Sequence, residues 1–241
     1  QSDGEKSVEQ ENWQAESLEE RAYKASYKGD GSDAAEKRRR ELIREAAALA
    51  ESCENAVLFI GLNHEFDLEG CDRTDMKLPY GQEELISAVL DANENTVIAV
   101  TAGSPVDMEV FADRAKAIVY SSYNGMEGGL AMAEVLLGRV NPSGRLPFTI
   151  PKRLEDCQAH SIGEFPGGDS VAYRESGYVG YRYYETERKA VRYCFGHGLS
   201  YTEFSYGDLK LERREDGIYG TVTVRNCGSV AGAEVVEIYV G

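Results

Sequence analysis

Ala56-Val57-Leu58-Phe59-Ile60 is an uninterrupted apolar run that Gly61 ends, and His64, Glu65, Asp67, Glu69, Asp72 and Arg73 crowd in directly after it. A short apolar run bounded by a turn signal predicts a strand buried on both faces, the kind found inside a parallel sheet covered by helices. Carboxylates in the loop at the C-terminal end of such a strand match the usual layout of an α/β site. Glu65, Asp67, Glu69 and Asp72 are therefore candidates for acid/base work. Spacing alone equally allows a solvated acidic loop.

The rest of the chain extends that pattern. Asp33 reads as an N-cap with Glu36 as its capping-box partner, opening a helix to about Ser52 with Leu42, Ile43, Ala46, Leu49 and Ala50 as its apolar stripe. The basic run Lys37 to Arg40 is flanked by Glu36 and Glu41 and reads as a solvated patch. Gly81 to Asn93 predicts a helix burying Leu85, Ile86, Val89 and Leu90, and Thr96 to Ala102 a second buried strand. A short helix over Asp107 to Ala112, a strand over Ala117 to Ser121, a helix over Leu130 to Leu137 stopped by Gly138, and a fourth strand over Leu146 to Ile150 follow. Strands alternating with helices imply βαβ units and a mainly parallel sheet.

Between Pro151 and Phe204 regular patterning fades, and Tyr173, Tyr178, Tyr181, Tyr183, Tyr184, Tyr193 and Tyr201 accumulate. Such rings either line a sugar site or pack domains together. His197 between Gly196 and Gly198 reads as a structural histidine in a tight turn. From Phe204 the writing becomes strand–turn–strand: Leu209 and Leu211, then Ile218 to Val224, then Val235 to Val240. Gln1 to about residue 35 is polar and acid-rich, with a short helix expected over Glu16 to Lys28.

Composition narrows the function. A net charge of −16 over 241 residues disfavours nucleic-acid and anionic-membrane partners, which it would repel. No stretch reaches the roughly 18 apolar residues of a membrane span, and no signal peptide is legible. The start at Gln1 rather than Met and the apolar final residues suggest that both ends are cut. Cys53, Cys71, Cys157, Cys194 and Cys227 are odd in number and widely spaced, so they read as free thiols, which leans towards a reducing, cytoplasmic compartment. His64 and His160 have no second ligand at metal spacing, so neither a metal nor a cofactor is expected.

Gly61-Leu62-Asn63, Glu69-Gly70-Cys71-Asp72-Arg73, Leu78-Pro79 and Gln82 together resemble the signature of glycoside hydrolase family 3. Asn141-Pro142-Ser143-Gly144-Arg145-Leu146-Pro147, Gly177-Tyr178-Val179-Gly180-Tyr181-Arg182-Tyr183-Tyr184 and Phe195-Gly196-His197-Gly198-Leu199-Ser200-Tyr201-Thr202 resemble three further stretches of that family, in family order. Glu175-Ser176-Gly177 departs from the family's usual residues before the tyrosine-rich stretch. The resemblance covers residues 41 to 241. It implies a partial three-layer α/β/α sandwich with a mainly parallel sheet over 41–203. The beginning of an all-β fibronectin type III-like sandwich would occupy 204–241. Residues 1–40 would be a polar tail or linker, or the end of an inserted upstream domain.

The resemblance also implies a fragment of a retaining β-glycosidase, a β-glucosidase first of all, acting on terminal β-linked glucosides or oligosaccharides. Its partners would be that substrate and an N-terminal barrel domain of the same enzyme, which this chain lacks and which carries the aspartate nucleophile. Retention needs two carboxyl groups about 5 Å apart. The one implied here is Glu69, as general acid/base. Glu65 is the rival, outside the matching motif, and Asp72 and Arg73 are expected to bind substrate or support the loop, with Arg73 pairing with Asp72 or Asp67. Two other readings remain open: a nucleotide- or phosphate-binding α/β domain, resting on the glycine-rich turn Asn124 to Gly129 before a helix, and a non-catalytic carbohydrate-associated module.

Overall fold

The computed structural model describes residues 33–165, 167 and 170–239. The expected helix at Glu16 to Lys28 and the end of the last strand at Val240 lie outside them. Two compact units emerge: the described residues of Gln1–Tyr123 with Lys152–Tyr173, and those of Asn124–Pro151 with Arg174–Gly241.

The first unit is built on a three-stranded parallel sheet, β1 (Ala56–Gly61), β2 (Thr96–Thr101) and β3 (Ala117–Ser121), in the order β1-β2-β3. Pairing is in continuous register, Ala56 opposite Thr96 to Gly61 opposite Thr101, and Val97 opposite Ala117 to Thr101 opposite Ser121. Helices α1 (Asp33–Glu51) and α2 (Gln82–Ala92) accompany the sheet, so the α/β class expected from the alternation holds. Central β2 is the core: Ile98, Ala99 and Val100 are fully buried, as are Ile86 of α2 and the loop residues Val106 and Phe111. Burying each large aliphatic side chain contributes about 1.5–3 kcal/mol.

Four expectations within this unit need correction. β1 is not buried on both faces. It is an edge strand, and Val57 and Phe59 are exposed while Ile60 is buried. The apolar stripe of α1 is narrower than expected. Ala50 is buried, but Leu42 and Leu49 lie outside the contact face and are exposed. The capping box does not form. Glu36 instead accepts from Arg39 (3.0 Å) and Arg40 (2.8 Å), and Arg39 also pairs with Glu84 of α2. Charges three and four residues apart meet on one helix face, which absorbs the basic run. Between β2 and β3 the chain makes successive turns, closed by Ala112 N–H on Met108 O and Ala115 N–H on Phe111 O (both 2.8 Å), instead of a helix.

The second unit holds α3 (Gly128–Leu136), β4 (Ile150–Pro151), β5 (Val191–Tyr193), β6 (Phe204–Arg214) and β7 (Gly217–Asn226). The first unit's α4 (Gln158–Ser161) precedes α5 (Tyr181–Thr186), which belongs to the second. The fourth strand is not a further parallel strand: β4 is two residues long and antiparallel to β5. Pro147 lacks the N–H a ladder needs, and a ladder across it cannot propagate. Leu146 exchanges bonds with the opposing chain, its N–H on His197 O (2.9 Å) and its C=O under Gly196 N–H (2.8 Å). Helix α5 was hidden by its tyrosines. Tyr183 and Tyr184 are buried there, and Tyr181 packs its ring at 5.1 Å from Phe195, whereas Tyr173 and Tyr178 are exposed.

The motif beginning at Asn141 is a clamp within this unit. Asn141 donates to Ala231 O (3.1 Å) and accepts from Ser200 Oγ (2.9 Å) and Tyr201 N–H (2.8 Å), while Arg145 forms a largely buried ion pair with Glu234 (2.7 Å). β6 and β7 form an antiparallel hairpin joined at Glu215-Asp216, with an irregularity between Gly207 and Lys210. This agrees with antiparallel strands beginning a fibronectin type III-like sandwich. Val235 to Tyr239 form no strand.

Candidate active site

The site is assembled where the three parallel strands end. Gly61 closes β1 and sits against β2 so tightly that a Cβ would lie 1.9 Å from Thr101 O, with φ at +148°. Only glycine fits there. The outer edge of Gly61 is paired by a side chain: its N–H donates to Gln82 Oε1 and its C=O accepts from Gln82 Nε2, both at 2.9 Å. Gln82 opens α2, so one amide ties the end of β1 to the start of the next helix and fixes both ends of the intervening loop.

Within that loop the acids separate by environment. Glu65 is half-buried. Its N–H donates to Asn63 Oδ1 (3.0 Å), and its carboxylate accepts a hydrogen bond from the Tyr80 hydroxyl, which in turn accepts from Asn63 Nδ2 (3.2 Å). The Tyr80 ring meets Phe66 edge-on at 5.1 Å. Asp67 is also occupied. Its Oδ2 accepts from Gly103 N–H (3.1 Å) and Tyr123 Oη (2.7 Å), and its Oδ1 from Ser104 Oγ (3.4 Å). Burial first, then the bond to Asp67, pushes the Tyr123 hydroxyl up to about 12, so it stays a donor through the neutral range.

Glu69 differs from both. Leu68 and Cys71 bridge each other across a tight turn closed by Cys71 N–H on Leu68 O (3.4 Å), with Gly70 at φ +73°. A positive φ at the third position is what a type II turn asks of glycine. Glu69 stands at the tip of this turn, exposed, and its carboxylate has no hydrogen-bond or ion-pair partner among the described residues. Asp72 is exposed as well. Arg73 does not make the expected ion pair with Asp72 or Asp67. Its guanidinium donates to Ser104 Oγ (3.0 Å), Pro105 O (3.1 Å) and Lys77 O (3.4 Å). Glu65, Asp67, Glu69 and Arg73 are thus on one loop, and Asp67 and Arg73 converge on Ser104.

Sequence reasoning passed over Ser104 and Tyr123 as partners in the site. Their signal was positional: Gly103-Ser104 follows β2 and Tyr123 follows β3, at the carboxyl ends where α/β sites gather. Among the described residues no group of His, Cys, Asp and Glu is arranged to hold a metal, and no helix is long and apolar enough to cross a membrane. None of the five cysteines is in a disulfide. A depression of about 580 Å³ lies over α1 and the start of α2, lined by Asp33, Glu36, Lys37, Arg40, Ile43, Arg44 and Glu84. It includes none of the acidic-loop residues.

A parallel sheet carrying an acidic loop at its strand ends has the usual layout of an α/β enzyme site, and antiparallel strands follow it in the chain. The profile of the glycosyl hydrolase family 3 C-terminal domain matches residues 3–201. The chain belongs to glycoside hydrolase family 3. It is 48% identical over 208 residues to the probable beta-glucosidase I of Aspergillus clavatus, covering 83% of this chain and 25% of that protein. The crystal structure of the Kluyveromyces marxianus β-glucosidase in complex with glucose superposes with a TM-score of 0.73 at 43% identity, over 79% of this chain and 23% of that one. That of DesR, a β-glucosidase from Streptomyces venezuelae in complex with D-glucose, gives 0.75 at 37% identity, over 82% and 25%. The chain spans about a quarter of the length of the curated relatives it matches.

Proposed function

We propose that this chain is the C-terminal part of a retaining β-glucosidase that hydrolyses terminal non-reducing β-linked glucose. Residues 41–203 are assigned to its α/β part, which the start of α1 from Asp33 joins, 204–241 to its fibronectin type III-like part, and the residues before α1 to a polar tail or linker, or the end of an inserted upstream domain. Glu69 is the general acid/base, and a barrel domain elsewhere in the enzyme supplies the aspartate nucleophile. The observation that carries this reading is the contrast among the acids: Glu65 and Asp67 have committed carboxylates, whereas Glu69 stands exposed and unpartnered on an ordered turn. The names of the relatives and the glucose-bound neighbours support the choice of sugar.

The chemistry follows from that placement. In the first step Glu69 delivers its proton to the leaving-group oxygen as the nucleophile's carboxylate forms the glycosyl–enzyme bond. In the second, the Glu69 carboxylate removes a proton from water, which attacks the anomeric carbon and releases the sugar with retained configuration. A carboxyl group free of internal hydrogen bonds is open to both transfers. Asp72 directly follows this turn and would support the loop or contact substrate.

No observation favours the phosphate-binding alternative. Glu127 occupies the N-cap of α3 without a side-chain cap bond, and a negative charge on the residue beside that helix start disfavours an anion there. The catalytic reading is tested in the full-length enzyme with Glu69→Gln. The variant is expected to lose about 10²–10⁴-fold in kcat/KM on phenyl β-glucoside, whose leaving group needs a proton, and far less on the dinitrophenyl glycoside. Equal losses on the two would contradict it.

A further inference from the structure

The loop that presents Glu69 is clamped on both sides by one short segment. Before the turn, the Asp67 carboxylate is held by Gly103 N–H and Ser104 Oγ. After it, the Arg73 guanidinium grips Ser104 Oγ and Pro105 O. Ser104 is itself held down, because its C=O accepts from Tyr120 Oη of β3 at 2.8 Å. Tyr123, just beyond β3, adds the shortest of the three bonds to Asp67. Asp67 N–H donates to Asn63 O (3.0 Å), so the residue is fixed by backbone and side chain alike.

We propose that Asp67 is the positioning residue for Glu69: its carboxylate, held by Gly103, Ser104 and Tyr123, locks the turn Leu68 to Cys71 to the ends of β2 and β3 and so sets where the Glu69 carboxyl stands. This rests on the reading of Glu69 as the acid/base. Asp67 exchanges no proton with substrate. The physical reason is that the turn tip itself has no side-chain anchor at Glu69, so its placement comes from the two clamped ends. A general acid acts only within hydrogen-bond reach of the leaving oxygen, and a displacement of about 1 Å costs on the order of 10²-fold. Asp67→Asn keeps the shape and removes one acceptor, since an amide offers one oxygen in place of two. One end of the loop is then released.

The test uses the full-length enzyme and compares phenyl with dinitrophenyl β-glucoside. Asp67→Asn is expected to lower kcat/KM on the phenyl glycoside by about 10–100-fold and to leave the dinitrophenyl glycoside within about 3-fold. Tyr123→Phe, which keeps the ring, is expected to show the same selectivity at about 3–10-fold. It carries the test should Asp67→Asn not accumulate in folded form. In the double variant Glu69→Gln/Asp67→Asn the second change should cost no more than about 2-fold on the phenyl glycoside, because it acts through the first. Equal losses on both substrates, no loss, or multiplicative losses in the double variant would overturn the positioning role. If Glu69→Gln discriminates between leaving groups and Asp67→Asn does not, this inference alone falls. If Glu69→Gln does not discriminate, the acid/base reading falls and takes this one with it.

Discussion

His197 stacks its imidazole on the Tyr193 ring, with centroids 4.9 Å apart, and its backbone closes the turn against Cys194 and Leu146. Burial first, and then the charge of Arg145, holds its pKa below the ordinary histidine value. Unfolding restores that value to about 6.5, so between the two values the unfolded chain binds more protons than the folded one. The stabilisation is therefore present above about pH 6.5 and is lost as pH falls through the depressed folded value. His197→Phe keeps the stacking and removes the titration. The variant is expected to lose less melting temperature than the parent between about pH 7.5 and pH 5.5. Equal losses would show that the acid sensitivity arises elsewhere.

At the scale of elements, the joint between β1 and α2 depends on a single amide. Gln82→Ala leaves the N–H and C=O of Gly61 unpaired at a half-buried strand edge. A cost of about 1–3 kcal/mol is expected, with faster amide exchange at Gly61. Unchanged exchange would mean that the edge is satisfied in another way. The elements also show where the sequence was legible. Helix α2 and strand β2 were readable because period and burial agree: Ile86, Val89 and Leu90 recur on one helix face, and Val97 to Val100 is apolar without a break. β4 was not, because Pro147 truncates the ladder while the apolar pattern continues past it. α5 was not, because tyrosine and glycine mask its period. The acidic loop was visible as a cluster, yet which acids are spent depends on Tyr80, Ser104 and Tyr123, partners too distant in sequence for any local pattern to reveal.

On the scale of the whole molecule, this chain accounts for about a quarter of the relatives it matches, and the proposed mechanism needs a nucleophile from outside it. The exposed apolar side chains are consistent with surfaces made to be covered: Val57 and Phe59 on β1, and Leu209, Leu211 and Ile218 on the β6–β7 hairpin. A two-stranded hairpin is at best marginally stable alone. The isolated chain is expected to show no turnover of aryl β-glucosides above background. Turnover by the purified chain that Glu69→Gln abolishes would place both carboxyls within it and contradict the division of labour.

The central claim, that Glu69 is the acid/base, is tested most directly by rescue with azide in the full-length enzyme. Azide attacks the glycosyl–enzyme intermediate without a general base. Glu69→Gln, supplied with dinitrophenyl β-glucoside and azide, is expected to regain turnover and to yield the β-glucosyl azide, with retained configuration, by proton NMR. Glu65→Gln, whose side chain is engaged by Tyr80, should yield none. Glucosyl azide from the Glu65 variant and none from the Glu69 variant would contradict the assignment and move the acid/base four residues upstream.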